Sequence, residues 1–323
     1  MLQLTDATLC TLDLNKANVS DVKALYESLL WLGIDFIQIE EPVRQILGNQ
    51  IIPKRTCLIV DSKSQFESAP GFGKYVARSY AEPFDTEIIA QSVFAGDFTS
   101  GMECPLYVFG DQALFLGRYE SIFDTYRKRP QWVDFVPRYA GYAGTALAME
   151  WIEGGGQGLV TGMLGLGGYA ATEEVIMALN VRGKELVNMD TTRLRRIAKQ
   201  CAKLIGQPIR AHKAIVGERI FHVESGVHVD GLLKNTHTYE AFPPESVGMT
   251  REFVIGKLSG KSALVQKLQE LNVEMDSDAV DCLLKAIKSF SSKTGARIDE
   301  QNFLSLLNTV KGESKWQQRN VCI

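Results

Sequence analysis

The chain has 323 residues, with 35 Lys+Arg against 38 Asp+Glu and a formal charge of −3. Hydrophobic residues make up 45% and charged residues 23%, which is ordinary globular usage and excludes disordered and fibrous classes. The faint negative balance speaks against a dedicated nucleic-acid binder, and no apolar run approaches the ~20 residues of a membrane helix. The first residues, Met1 to Asp6, carry no basic stretch followed by an apolar core, so a cytoplasmic protein is expected.

Short apolar runs at 2–6, 35–40, 56–61, 75–80, 105–110, 132–136 and 158–164 read as strands, with a shorter one at 186–190. Between the first two, Val22, Leu25, Leu29 and Leu30 fall at helical spacing. Ser20 and Asp21 supply a cap for that helix and Gly33 a stop. Thr172-Glu173-Glu174 opens another helix, with Val175, Ile176 and Leu179 on its apolar side. This alternation predicts a parallel α/β fold, and periodicity leaves a barrel and a doubly wound sheet both open.

Residues 191–204 form a basic amphipathic pattern (Arg193, Arg195, Arg196, Lys199, Lys203), read as a solvated helix face. The stretch 209–260 changes character. It holds several glycines, the pair Pro243-Pro244 and all four histidines: His212, His222, His228 and His237. Helical patterns follow at 262–271, 277–294 and 299–309, with 315–320 expected to fray. The cysteines (10, 57, 104, 201, 282 and 322) form no C-x-x-C pair and read as reduced thiols. Gly154–Gly156 and Gly165-Leu166-Gly167-Gly168 lack phosphate-loop spacing and read as tight turns.

The densest chemical signal is Phe221-His222-Val223-Glu224-Ser225-Gly226-Val227-His228-Val229-Asp230-Gly231, continued by Lys234 and Tyr239-Glu240-Ala241-Phe242. It presents Glu224, His228, Asp230 and Tyr239. An imidazole that titrates near neutrality and a phenol can together move a proton or polarise a carbonyl. From the residues alone, a loop whose polar groups cap one another explains the run equally well.

The run from about 191 to 264 resembles the post-barrel region of the homocitrate synthase and isopropylmalate synthase family, most narrowly the homocitrate synthases of nitrogen fixation. The family's motifs stand here as Ile215-Val216-Gly217, Phe221, Glu224-Ser225-Gly226-Val227-His228, Asp230-Gly231, Lys234, Tyr239-Glu240, Phe242, Pro244-Glu245, Val247-Gly248, Gly256-Lys257 and Ser259-Gly260. Glu173 to Leu179 is similar to the family's last barrel helix. The barrel motifs depart from the pattern. Where the family reads D-T-T-L-R-D-G, this chain has Asp6-Ala7-Thr8-Leu9-Cys10-Thr11-Leu12. The arginine for the 2-oxo group thus falls on Cys10 and a metal-binding aspartate on Thr11. The H-x-H-[DN]-D ligand set falls on 136–140, placing Val136 and Arg138 where imidazoles belong.

The resemblance implies a degenerate, shortened (β/α) TIM-type barrel over 1–190. A small α+β post-barrel linker subdomain over 191–260 and C-terminal helices over 261–323 would follow it. A (β/α)₈ barrel takes roughly 250 residues, so at least one βα unit is expected to be missing between Ala81 and Trp132. It further implies a subunit of a split, heteromeric homocitrate synthase, as in the two-gene enzymes whose second, "omega" subunit bears the post-barrel region. In the family a histidine and a tyrosine of this region reach the partner's acetyl-CoA and metal site, and they match His228 and Tyr239 here. His228 would then serve general acid/base chemistry, Tyr239 would position it and Glu224 would orient the segment. No metal is expected in this chain, and the divalent metal, acetyl-CoA and 2-oxoglutarate would meet at the partner's barrel. The alternative is a non-catalytic pseudoenzyme scaffold or regulatory partner. Apolar neighbours Phe221, Leu232, Leu233 and Phe242 are expected to carry the subunit contact.

Overall fold

The computed structural model describes residues 2–78, 89–95, 103–110, 114, 119–138, 143–184, 189–295 and 298–320, the side chains of Ile89 and of 313–320 excepted. Of the expectations above, Tyr139, Ala140, Cys322 and most of the 186–190 run lie outside these residues. The chain divides into two compact units, Met1–Glu218 and Arg219–Ile323.

The first unit is a closed barrel of eight parallel strands: β1 (Gln3–Asp6), β2 (Phe36–Ile39), β3 (Thr56–Val60), β4 (Lys74–Ala77), β5 (Ile89–Phe94), β6 (Leu106–Phe109), β7 (Val133–Val136) and β8 (Gly158–Thr161). Each strand pairs with the next, and β8 returns to β1 with Gln3 opposite Gly158 and Asp6 opposite Thr161. The expected loss of a βα unit is therefore corrected. The strand count is complete, because β5 lies inside the supposed gap. Its sequence, Ile-Ala-Gln-Ser-Val-Phe, mixes small and polar residues and gives no continuous apolar run.

Shortening is taken in the connections instead. Helices α1 (Val19–Leu32), α2 (Glu41–Leu47), α3 (Lys63–Ser68), α4 (Tyr119–Arg127) and α5 (Gly144–Glu153) link strands, and α6 (Thr172–Val181) follows β8. Among the described residues no helix stands between β4 and β5 or between β5 and β6. The cap of α1 is Asn18, whose side chain accepts from the Ser20 amide, two residues before the expected one. Trp151 on α5 is fully buried against Phe123 and Phe135 and donates its indole N–H to the Gly158 carbonyl at 2.8 Å. This packing fixes α4 and α5 on the barrel wall.

The barrel unit extends past residue 190. Helix α7 (Leu194–Ile205) turns its apolar stripe (Leu194, Ile197, Ala198, Cys201) inward and packs on α1. Its arginines and lysines lie on the other face, as expected of a period-3.6 pattern. Beyond it, Lys213 reaches back to the first turn of α6. Its ammonium lies 2.9 Å from Glu173 and also binds Glu174. Glu173 is fully buried, and burial raises its carboxyl above the usual range despite that partner.

The second unit begins with β9 (His222–Val223), paired in parallel with β10 (Glu252–Phe253). Helices α8 (Gly226–Lys234), α9 (Lys261–Glu270), α10 (Ser277–Thr294) and α11 (Glu300–Asn320) complete it. Its core joins Val229 and Ile255 to Leu264, Leu268, Leu283, Ile287, Phe303 and Leu307. Helix α11 continues through 315–320, where fraying was expected. No helix among the described residues is long and apolar enough to cross a membrane.

Candidate functional site

Among the described residues the barrel interior is packed with side chains, as is ordinary for this fold. Ala7, Cys57, Val76, Ala90, Tyr107, Val136, Val160 and Tyr169 form one buried cluster. Tyr107 on β6 donates to the Gln38 amide oxygen on β2 at 2.7 Å, a bond between non-neighbouring strands and so across the interior. Toward the N-terminal ends of the strands, Lys74 on β4 pairs with Asp134 on β7 at 2.8 and 3.0 Å. Burial pushes the Cys57 thiol up to about 12 and raises Cys10 and the Tyr107 phenol further from ionisation. None of these groups is poised as a nucleophile.

The positions matched to metal ligands do not fit a cation. The Thr11 hydroxyl donates to the Thr8 carbonyl at 2.7 Å. Val136 is fully buried in the apolar cluster. The Arg138 guanidinium donates to the Gly167 carbonyl at 2.9 Å and stacks over Tyr169 with 4.9 Å to the ring centre, a positive charge that would repel a cation beside it. Asp6, which the family's first strand also carries, accepts from Thr172 at 2.6 Å and from the Thr8 amide at 2.9 Å. Its burial raises the carboxyl above its ordinary value. Among the described residues no three His, Cys, Asp or Glu side chains group as a metal site. A cavity of about 520 Å³ lies beside the β8–α6 turn, lined by Thr145, Leu166, Glu174, Ile205, Arg210 and Lys213. Glu224, His228, Tyr239, Thr11, Val136 and Arg138 do not line it, whereas Gly165, Leu166 and Gly168 of the glycine-rich turn and Glu174 of α6 do.

In the second unit the geometry brings His228 and Tyr239 together. The segment read as a glycine-turned loop is the helix α8, with Val229 and Leu232 on its buried side and His228 exposed. Two apolar residues at i, i+3 suffice to seat nine residues on the α9 helix. The chain leaves α8 through the turn Thr236–Thr238 and brings Tyr239 back over it. The imidazole and phenol rings lie with centroids 4.4 Å apart, tilted by 50°. Tyr239 is 47% exposed, so both rings face outward.

Glu224 is directed elsewhere. Its carboxylate accepts from the Leu258 amide at 3.1 Å, tying the strand before α8 to the 256–260 turn. Ser259, buried, accepts from the Gly256 amide at 2.9 Å and donates toward the Val254 and Glu224 carbonyls at 3.3 and 3.4 Å. Where the two segments meet, a Cβ on Gly226 would stand 2.7 Å from the Gly260 amide nitrogen, so only glycine admits this approach. Asp230 pairs with Lys234 along the helix at 2.7 Å.

Sequence reasoning missed Arg251. It holds Glu240, the residue after Tyr239, in a two-pronged pair at 2.7 and 2.5 Å. No local spacing announces a partner eleven positions away. Two of the expected subunit-contact residues are corrected. Phe221 and Leu232 are buried within their own chain, Phe221 edge-on to Phe242 at 5.7 Å. Among the described residues of this unit, Val227, Leu233, Leu258, Tyr239 and Leu304 on α11 are the large apolar side chains left exposed, Leu233 being one of those expected.

Known proteins resemble parts of this chain. Residues 215–295 match the family model described as "Homocitrate synthase post-HMGL domain-like". A 2-isopropylmalate synthase of Caldanaerobacter subterraneus subsp. tengcongensis is 38% identical over 53% of this chain and 46% of its own length. The homocitrate synthase AksA of Methanopyrus kandleri is 39% identical over 46% of this chain and 39% of its own length. Among solved structures, the HMG-CoA lyase of Bacillus subtilis covers 65% of this chain and 96% of its own, at 13% identity and a TM-score of 0.47. Over these parts the chain is similar to homocitrate and isopropylmalate synthases, and it spans less than half the length of these curated relatives.

Proposed function

We propose that this chain is the non-metal-binding subunit of a heteromeric homocitrate synthase and supplies His228 and Tyr239 to a partner's barrel. The reaction joins acetyl-CoA to 2-oxoglutarate. A base takes a proton from the acetyl methyl, the carbon attacks the ketone, the alkoxide gains a proton, and water then cleaves the thioester to homocitrate and CoA. His228 is the group for a proton transfer at the methyl or the alkoxide, and Tyr239 holds its ring in place. Glu224 acts at a distance, by fixing the strand from which α8 departs. The divalent metal and the 2-oxo acid belong to the partner's barrel.

The observation that carries this reading is the contrast in one chain between an outward-facing His228–Tyr239 contact and a barrel whose ligand positions are Thr11, Val136 and Arg138. A scaffold needs no such ring pair. The test is CoA release from acetyl-CoA and 2-oxoglutarate. It should be absent with this chain alone. It should be raised when the chain is added to a barrel subunit of the same genome that retains D-x-x-L-R-D-G and H-x-H. Turnover by the isolated chain at ordinary rates of ~1–1000 per second would defeat the proposal.

A further inference from the structure

We infer that Gly231 is a positioning residue, whose missing side chain seats the Tyr239 ring against His228. The inference rests on the reading of that pair as the chemically active one. His228 and Gly231 are three positions apart on α8 and so share a face. Tyr239 lies across this face, its ring centroid 4.4 Å from that of the imidazole. Its Cε2 occupies the space a side chain would need, since a Cβ on Gly231 would stand 2.5 Å from it.

The main chain at Tyr239 has little room to retreat. The turn before it is capped by Asn235, which accepts from the His237 amide at 3.1 Å, and Glu240 after it is held by Arg251. A methyl group at 231 would therefore be accommodated by swinging the half-exposed ring, not by moving helix or loop. Glycine in mid-helix is otherwise a defect, alanine being the better helix former. A residue chosen only to build α8 would be alanine, and the ring of Tyr239 explains the glycine.

The experiment is ¹H–¹³C NMR of histidine rings on the full chain. Its four histidines leave His228 assignable through His228→Gln. In the wild type the His228 ring protons carry the ring-current displacement of Tyr239, and Tyr239→Leu abolishes it. Gly231→Ala should move His228 to the Tyr239→Leu position while the melting temperature holds or rises. A displaced His228 signal that persists in Gly231→Ala overturns the inference, as does a signal that Tyr239→Leu fails to move. Should Gly231→Ala fail to fold, the double variant Gly231→Ala/Tyr239→Leu must recover the fold, and persistent unfolding also overturns it. In the reconstituted mixture Gly231→Ala should lose tenfold or more in turnover. A lost contact with unchanged turnover would leave Gly231 as the seat of the ring and defeat only the catalytic reading of the pair.

Discussion

The two units treat polar chemistry in opposite ways. In the barrel, these described polar groups engage one another: Tyr107 with Gln38, Asp6 with Thr172, Arg138 with Gly167 and Tyr169. Between them the interior is closed by aliphatic and aromatic packing. In the second unit, a histidine and a tyrosine are held in contact on the surface. The turns that hold them, at Gly226 against Gly260 and at Glu240 against Arg251, are tight and well bonded. A barrel interior is thus closed by packing and internal hydrogen bonds, while an exposed pair needs a dedicated frame to stay ordered.

The sharpest way to break this contrast is to reopen the barrel. Val136→His restores an imidazole to the position matched to a metal ligand. It forces a larger polar ring into an apolar site and should cost about 3 kcal/mol by chemical denaturation, from overpacking and an unpaired nitrogen. A neutral or stabilising effect would show the mouth to be roomier than described. Isothermal titration of the unmodified chain with Mn²⁺ should give no one-to-one site, and a tight site would point to an enzyme that works without a partner.

Gly226→Ala probes the frame of the second unit. Its Cβ meets backbone at Gly260, which cannot swing aside, so roughly 2 kcal/mol should be lost in denaturation. Here a change within 0.5 kcal/mol would mean that the 226–260 approach is loose.

The smallest effect is a pH slope from the barrel. Burial raises the folded-state carboxyls of Asp6 and Glu173 above their unfolded values. Each then contributes stability that is full below about pH 4 and is withdrawn as pH climbs through the folded value. Asp6→Asn should flatten that decline in denaturation midpoints measured upward from pH 4. An unaltered slope would place the charge elsewhere.

Strands with continuous apolar runs, such as Thr56–Val60, were legible in the sequence because burial on both faces leaves no polar alternation to interpret. Strand β5 was not, since Gln91 and Ser92 are polar yet buried, Ser92 donating to the Ala77 carbonyl at 2.6 Å. Helix α8 was hidden for a related reason. It has two glycines in nine residues, and its helical state comes from packing of Val229 and Leu232. His228 and Tyr239 were singled out by the family resemblance, whereas their contact, the Gly231 seat and the Arg251 clasp arise only from the folded path of the chain.

The central claim is that the exposed pair works on a site this chain does not contain. It is tested most directly by CoA release from the reconstituted mixture, with His228→Ala compared against wild type at equal subunit occupancy checked by sedimentation. Loss of a general acid/base group should lower the rate ~10²–10⁴-fold. Subunit affinity should change by less than about tenfold, or 1.4 kcal/mol, because the imidazole is exposed and fills no core. Full turnover with His228→Ala would contradict the claim and make the second unit a clasp.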